Sequence, residues 1–131
     1  MIAISGGGIA GLAAALAVSR AGDNALLIAG TEQTPLLGGV QIAPNGWAAL
    51  EELRLADDLR NAATNLCEIN VRDLVTGATL TRVELVGPYV SLTRSDIAKT
   101  ISEALALEPS FQRIDAKISH VVQVSPQHGA D

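Results

Sequence analysis

Gly6, Gly8 and Gly11 stand at the spacing GxGxxG, directly after the short apolar run Met1 to Ser5 and at the head of an alanine-rich stretch. Each glycine has a mechanical use at that spacing: Gly6 permits a tight turn, Gly8 lets the backbone approach a pyrophosphate, and Gly11 lets the following helix pack close to the strand. Ile9 and Ala10 open that helix, so its first N–H groups and the positive end of its dipole point at the same place. Few other side chains invite chemistry. Cys67 is the single cysteine, which excludes an intrachain disulfide, and with only His120 and His128 beside it in the inventory a four-ligand zinc site is excluded as well. Cys67 reads as a small core residue, His120 falls in a strand-like alternation and His128 lies in the terminal tail, so neither histidine has a partner for acid–base work. Trp47 reads as a core filler on a helix face.

The architecture that uses GxGxxG usually ends its second strand on an Asp or Glu, which accepts hydrogen bonds from an adenosine ribose. Here that position is Ala29, followed by Gly30. Glu32 lies three residues on; it either reaches back to the ribose or is an ordinary solvated loop acid.

Those residues need elements to position them. The run at Ile2 to Ser5 predicts a strand, Ile9 to Ala21 a helix stopped by Gly22, and Asn24 to Ala29 a second strand whose unbroken apolarity fits a parallel strand covered on both faces. Together they make a βαβ unit. Gly30 to Pro44 forms a long connection rich in Gly, Thr and Pro, after which Asn45 is the expected N-cap of a helix through Trp47, Leu50 and Leu53, with Leu59 on a continuing or second short helix. Cys67 to Leu74 and Ala78 to Val86 flank Thr76-Gly77 and predict an antiparallel hairpin at about residues 66–86. Tyr89 to Leu92 reads as a short extended piece, and Thr93 with Asp96 has capping-box spacing for a helix from Arg94 to Leu107. Phe111 to Ile114 and Ile118 to Val124 read as strands. The fold class is α/β: a Rossmann-type parallel sheet from the strands near Ile2, Asn24 and Phe111, plus the hairpin.

A chain of 131 residues supports one core, and 48% hydrophobic with 18% charged residues excludes a disordered chain. With 2% aromatics there is little surface on which bases could stack, and a net charge of −5 has the wrong sign for nucleic acid or an anionic membrane. The uncharged run Ile2 to Ser19 has no basic residue before it and is interrupted by glycines, which argues against a signal peptide or a membrane span. Cysteine usage fits a reducing compartment, so a cytoplasmic protein is expected.

The stretch GGGIAGLAAALAVSRAG, followed by GGVQIAPNGWAALEEL and later by LTRSDIAKTI, resembles the N-terminal part of the FAD-dependent aromatic-ring hydroxylases, the para-hydroxybenzoate hydroxylase-like monooxygenases. In that family a PNA-type segment opens a helix after a Gly-rich strand, and Pro44-Asn45-Gly46 is similar. An Arg with an apolar residue three places on opens a later helix near the FAD, and Arg94 with Ile97 matches. The resemblance implies FAD bound through Gly6, Gly8, Ile9, Ala10, Gly11, Glu32 and Arg94, NAD(P)H as a transient reductant, dioxygen as co-substrate and a small aromatic substrate. It also implies that residues 1–131 are a shortened FAD-binding domain. The hairpin would then belong to an incomplete substrate-side sheet, and no catalytic side chain or hydroxylation by the chain alone is expected. The sequence departs from the family pattern at Ala29, at Thr34 where many members carry Arg, and at Leu37 in place of a usual glycine. An NAD(P)-dependent reductase would share GxGxxG without the Pro44-Asn45 entry or the Arg94 helix. A non-catalytic Rossmann module is the remaining alternative.

Overall fold

A computed structural model describes residues 1–30 and 37–122 of the protein. Strand β1 (Ile2–Ser5) leads through the glycines into helix α1 (Ile9–Arg20) and strand β2 (Ala25–Ala29). Leu12, Ala15, Leu16 and Ser19 recur on one buried face of α1, the i, i+3, i+4, i+7 pattern of a helix laid on a sheet. The helix ends where Gly22 takes φ +89°, with its N–H donated to the Ser19 carbonyl.

β1 pairs parallel with β2, and β2 with strand β8 (Phe111–Asp115), giving the order β1-β2-β8. The expected parallel sheet is therefore present. Along β2, Ala25, Leu27 and Ala29 are buried while Leu26 and Ile28 are half-buried, so the helix-covered face is tighter than the other. Neither face of β2 is exposed, as expected of a parallel strand covered on both faces.

The stretch expected to be a plain connection from Gly30 to Pro44 contains strand β3 (Gly39–Ile42). β3 pairs antiparallel with β7 (Val90–Thr93), which also pairs with the short β4 (Thr64–Asn65), making a second sheet that short-range pattern did not disclose. Helix α2 (Pro44–Glu52) starts two residues earlier than expected: Ala43 is its N-cap with no side-chain bond, and Pro44 occupies the first turn, where its fixed φ suits the helix and its missing N–H costs nothing. Asn45 is thus inside the helix. A short α3 (Ala56–Arg60) follows.

The hairpin forms as expected from β5 (Glu68–Arg72) and β6 (Thr79–Glu84). Its turn is fastened by the Asp73 carboxylate, which accepts from the Val75 and Thr76 N–H groups and from the Thr76 hydroxyl at 2.6–3.1 Å, with Gly77 at φ +71°. Helix α4 (Arg94–Leu105) is capped by Thr93, whose Oγ1 accepts from Asp96 N–H at 3.0 Å.

Leu16, Leu27, Leu55, Leu59, Ile101 and Leu105 are fully buried in one core joining α1, β2, α3 and α4, and Trp47 is buried with them at 3% exposure, as its core reading requires. Arg20 clasps the edges of this core: it pairs with Glu108 at 2.9 Å and donates through Nη1 to the Leu53 carbonyl. Three further expectations are corrected. Cys67 is exposed rather than buried, because the hairpin it precedes has no covering layer among the described residues. Residues 118–122 form no strand, since none of the described strands pairs with them, and 123–124 lie outside the described residues. His120 therefore sits in irregular chain, its Nδ1 3.0 Å from the Ser119 hydroxyl, and His128 lies outside the described residues.

Candidate functional site

The β1–α1 turn is built by three different constraints on its glycines. Gly6 takes φ +105°, a conformation that side chains rarely adopt, while its N–H is held by the Ile28 carbonyl at 2.9 Å. Gly11 is locked by packing: a Cβ there would lie 1.9 Å from the Gly6 carbonyl oxygen and 3.6 Å from Leu27 Cδ1. The close approach expected between helix and strand is thus in the first instance an approach of the helix to its own entry turn. Gly8 is different again. Its backbone is ordinary extended chain (φ −77°, ψ 177°), and a Cβ there would meet nothing within 4 Å. No fold requirement calls for glycine at position 8; open space lies beside it.

That space faces a helix start with nothing on it. Gly8 is the N-cap and offers no side-chain acceptor, the first turn of α1 has no acid, and the first helical bond runs from Leu12 N–H to the Gly8 carbonyl at 3.0 Å. The N–H groups of Ile9, Ala10 and Gly11 therefore have no partner four residues back within the helix. An anion with several oxygens is the ligand such an end suits, and the net charge of −5 means that backbone, not a basic patch, must hold it.

Gly7 was not singled out in the sequence, yet it is constrained too. A Cβ on it would come 2.9 Å from Ala29 Cβ. The turn and the end of β2 are thus in contact, and Ala29, where an acid is usual, is 5% exposed beneath Gly7. Glu32 and Thr34 lie outside the described residues. Arg94 is exposed at the first position of α4, its N–H donated to the Gly38 carbonyl at 3.1 Å, and its guanidinium has no hydrogen-bond or ion-pair partner among the described residues. α4 packs on α1. Among the described residues, the carboxyl whose titration is clearly displaced belongs to Asp73 in the hairpin turn: the Thr76 hydroxyl, then the Thr76 and Val75 N–H groups, stabilise its charged form and lower its pKa. Among the described residues no group of three His, Cys, Asp or Glu gathers to hold a metal, and no helix is long and apolar enough to cross a membrane.

The fold is shared with known proteins. No protein-family model matches the chain. It is 31% identical over 118 residues to 3-hydroxybenzoate 6-hydroxylase of Klebsiella oxytoca, an alignment covering 83% of this chain and 30% of that enzyme. The chain is a homologue of the hydroxybenzoate hydroxylase-like flavin monooxygenases. It spans about a third of the length of such relatives. The fold agrees: p-nitrophenol 4-monooxygenase PnpA of Pseudomonas putida DLL-E4 superposes with a TM-score of 0.80 at 24% identity, over 93% of this chain and 33% of that one. HpxO of Klebsiella pneumoniae, solved with FAD and uric acid, gives a TM-score of 0.68 at 19% identity, over 85% and 30%. The hydroxylase-like resemblance read from the three sequence stretches is therefore correct, and so is the α/β fold that it implied.

Proposed function

We propose that the chain holds FAD by its adenosine diphosphate half at the glycine turn, as the nucleotide-binding portion of a monooxygenase that hydroxylates a small aromatic substrate with NAD(P)H and dioxygen. The observation that carries this is the contrast within the turn: Gly6, Gly7 and Gly11 are dictated by the fold, whereas Gly8 borders open space at a bare helix start. The donor set fits a pyrophosphate, with Ile9, Ala10 and Gly11 N–H groups as donors and Gly8 as the approach. Arg94, with no competing ion pair among the described residues, supplies a counter-charge from the head of α4. The ribose end fits less well, because Ala29 accepts no hydrogen bond through its side chain.

FAD, when bound, supplies the redox and oxygen-activating chemistry, and this chain's residues bind and orient it. The hairpin β5–β6, exposed on both faces, belongs in this reading to the substrate-side sheet, and the 131 residues by themselves bind nucleotide without hydroxylating. Support comes from the kinship with flavin monooxygenases, and the single exposed cysteine suits work in the cytoplasm. The test is reconstitution. After incubation with FAD and desalting, the chain should carry flavin absorbance in near-equimolar amount, and a colourless chain would sink the proposal.

A further inference from the structure

The hairpin is a sheet of two strands only, and such a ribbon is at best marginally stable in water without further strands or a cover. Its side chains are sorted by face. Ile69 and Val71 stand with Thr81 and Val83 on one side, all four exposed, whereas Glu68, Arg82 and Glu84 stand on the other. The ladder also fixes which backbone groups of β6 are unused. The Leu85 N–H donates to the Cys67 carbonyl at 2.9 Å, so alternation turns the N–H and C=O groups of Thr81 and Val83 toward β5 and those of Arg82 and Glu84 toward the open edge. Glu84 lies opposite Glu68 across the ladder, a like-charged pair that costs stability. Glu68 accepts from Asn70 Nδ2 at 2.6 Å, while Arg82 and Glu84 have no side-chain hydrogen bond or ion pair among the described residues.

We propose, independently of what the glycine turn binds, that two copies of the chain associate through β6, edge to edge and antiparallel, about a two-fold axis at Val83. In that register Val83 lies opposite its own counterpart, and Arg82 lies opposite Glu84 of the partner subunit, twice over by symmetry. Arg82 and Glu84 are also the residues whose backbone groups face outward, so each such pair exchanges ladder bonds while its side chains unite opposite charges. The arginine arriving beside Glu84 offsets the repulsion from Glu68. A four-stranded sheet results, with Ile69, Val71, Thr81 and Val83 of both copies on one continuous uncharged face. The other charged edges are less suited: on β5 Glu68 is engaged by Asn70, and on β8 Arg113 and Asp115 pair with each other at 2.9 Å. A net charge of −5 opposes unspecific association of two copies, so the attraction must come from a matched register.

Sedimentation velocity of the full chain over a concentration series tests this, for the parent, Arg82→Glu, Glu84→Arg and the double variant. The parent should sediment as a dimer that dissociates on dilution. Each single reversal sets like charges opposite one another twice per dimer and should weaken association about ten-fold or more, whereas the double variant restores both pairs in reverse and should return to within about three-fold of the parent. Glu84→Arg also removes the repulsion from Glu68 inside the chain, so its loss of association is not a loss of fold, and the fluorescence of Trp47 confirms that each variant is folded. A parent that stays monomeric throughout the series, association that survives the single reversals, or a double variant that does not recover it overturns the proposal.

Discussion

Replacing Gly8 by Val should separate binding from folding, and replacing Gly11 by Ala should do the opposite. At Gly8 the backbone is already in a region that any residue adopts, and the added Cβ meets nothing within 4 Å. The fold therefore loses only the difference between glycine and valine as an N-cap, below about 1 kcal/mol. The pyrophosphate, however, would have to share its approach with two methyl groups, and a loss of two or more decades in affinity, roughly 3 kcal/mol, is expected. At Gly11 the Cβ would fall 1.9 Å from a backbone oxygen, where ordinary contact begins at 3.4 Å, so helix and turn must separate. Overpacking of this kind costs about 1–3 kcal/mol, which outweighs the roughly 0.5–1 kcal/mol that alanine gains over glycine inside a helix. Thermal melting followed by the fluorescence of Trp47, the single tryptophan, together with ADP titration of each variant, reads both quantities. A Gly8→Val chain that binds ADP like the parent, or a Gly11→Ala chain that melts at or above the parent temperature, would refute this division of roles.

Ala29→Glu keeps the Cβ already packed under Gly7 and adds a ribose acceptor, so ADP should bind about ten-fold tighter by calorimetry, since a charge-assisted hydrogen bond is worth about 1.5–3 kcal/mol. Ser19→Ala should stabilise the chain by about 1 kcal/mol in chemical denaturation, because the Ser19 hydroxyl is buried with no hydrogen-bond partner among the described residues and alanine is the better helix former. Arg20→Ala removes bonds to Glu108 and to the Leu53 carbonyl and should lower stability by about 1–2 kcal/mol in the same assay. The lowered pKa of Asp73 means that its charged form, and the turn bonds it accepts, are present above the ordinary aspartate range and are lost as the pH falls through the depressed value. Protection of the Val75 and Thr76 amides from hydrogen exchange should follow that course, and Asp73→Ala should abolish it at every pH.

The parallel core was legible because local signals set it. Gly6 and Gly22 mark turns that need positive φ, α1 shows its buried face in the spacing of Leu12, Ala15, Leu16 and Ser19, and Thr93 with Asp96 announces a cap that the backbone then uses. The second sheet was not legible, since β3, β4 and β7 are short and become strands only by pairing across a sequence separation of tens of residues. Cys67 was misplaced for a related reason: alternation reports a strand, but what covers the strand is a property of its neighbours. At the site, the tight turn at Gly6 and the close packing at Gly11 followed from spacing, whereas the Gly7–Ala29 contact and the position of Lys117 over Gly30 arise from strand register and carry no motif.

Competition at the flavin site is the most direct measurement. FAD bound to the chain is followed by the change in its visible spectrum while ADP or FMN is added. If the glycine turn holds the adenosine diphosphate half, ADP displaces FAD from the parent, FMN does not, and Gly8→Val shows no FAD-dependent change at all. Displacement by FMN but not by ADP, or FAD binding that Gly8→Val leaves intact, would contradict it.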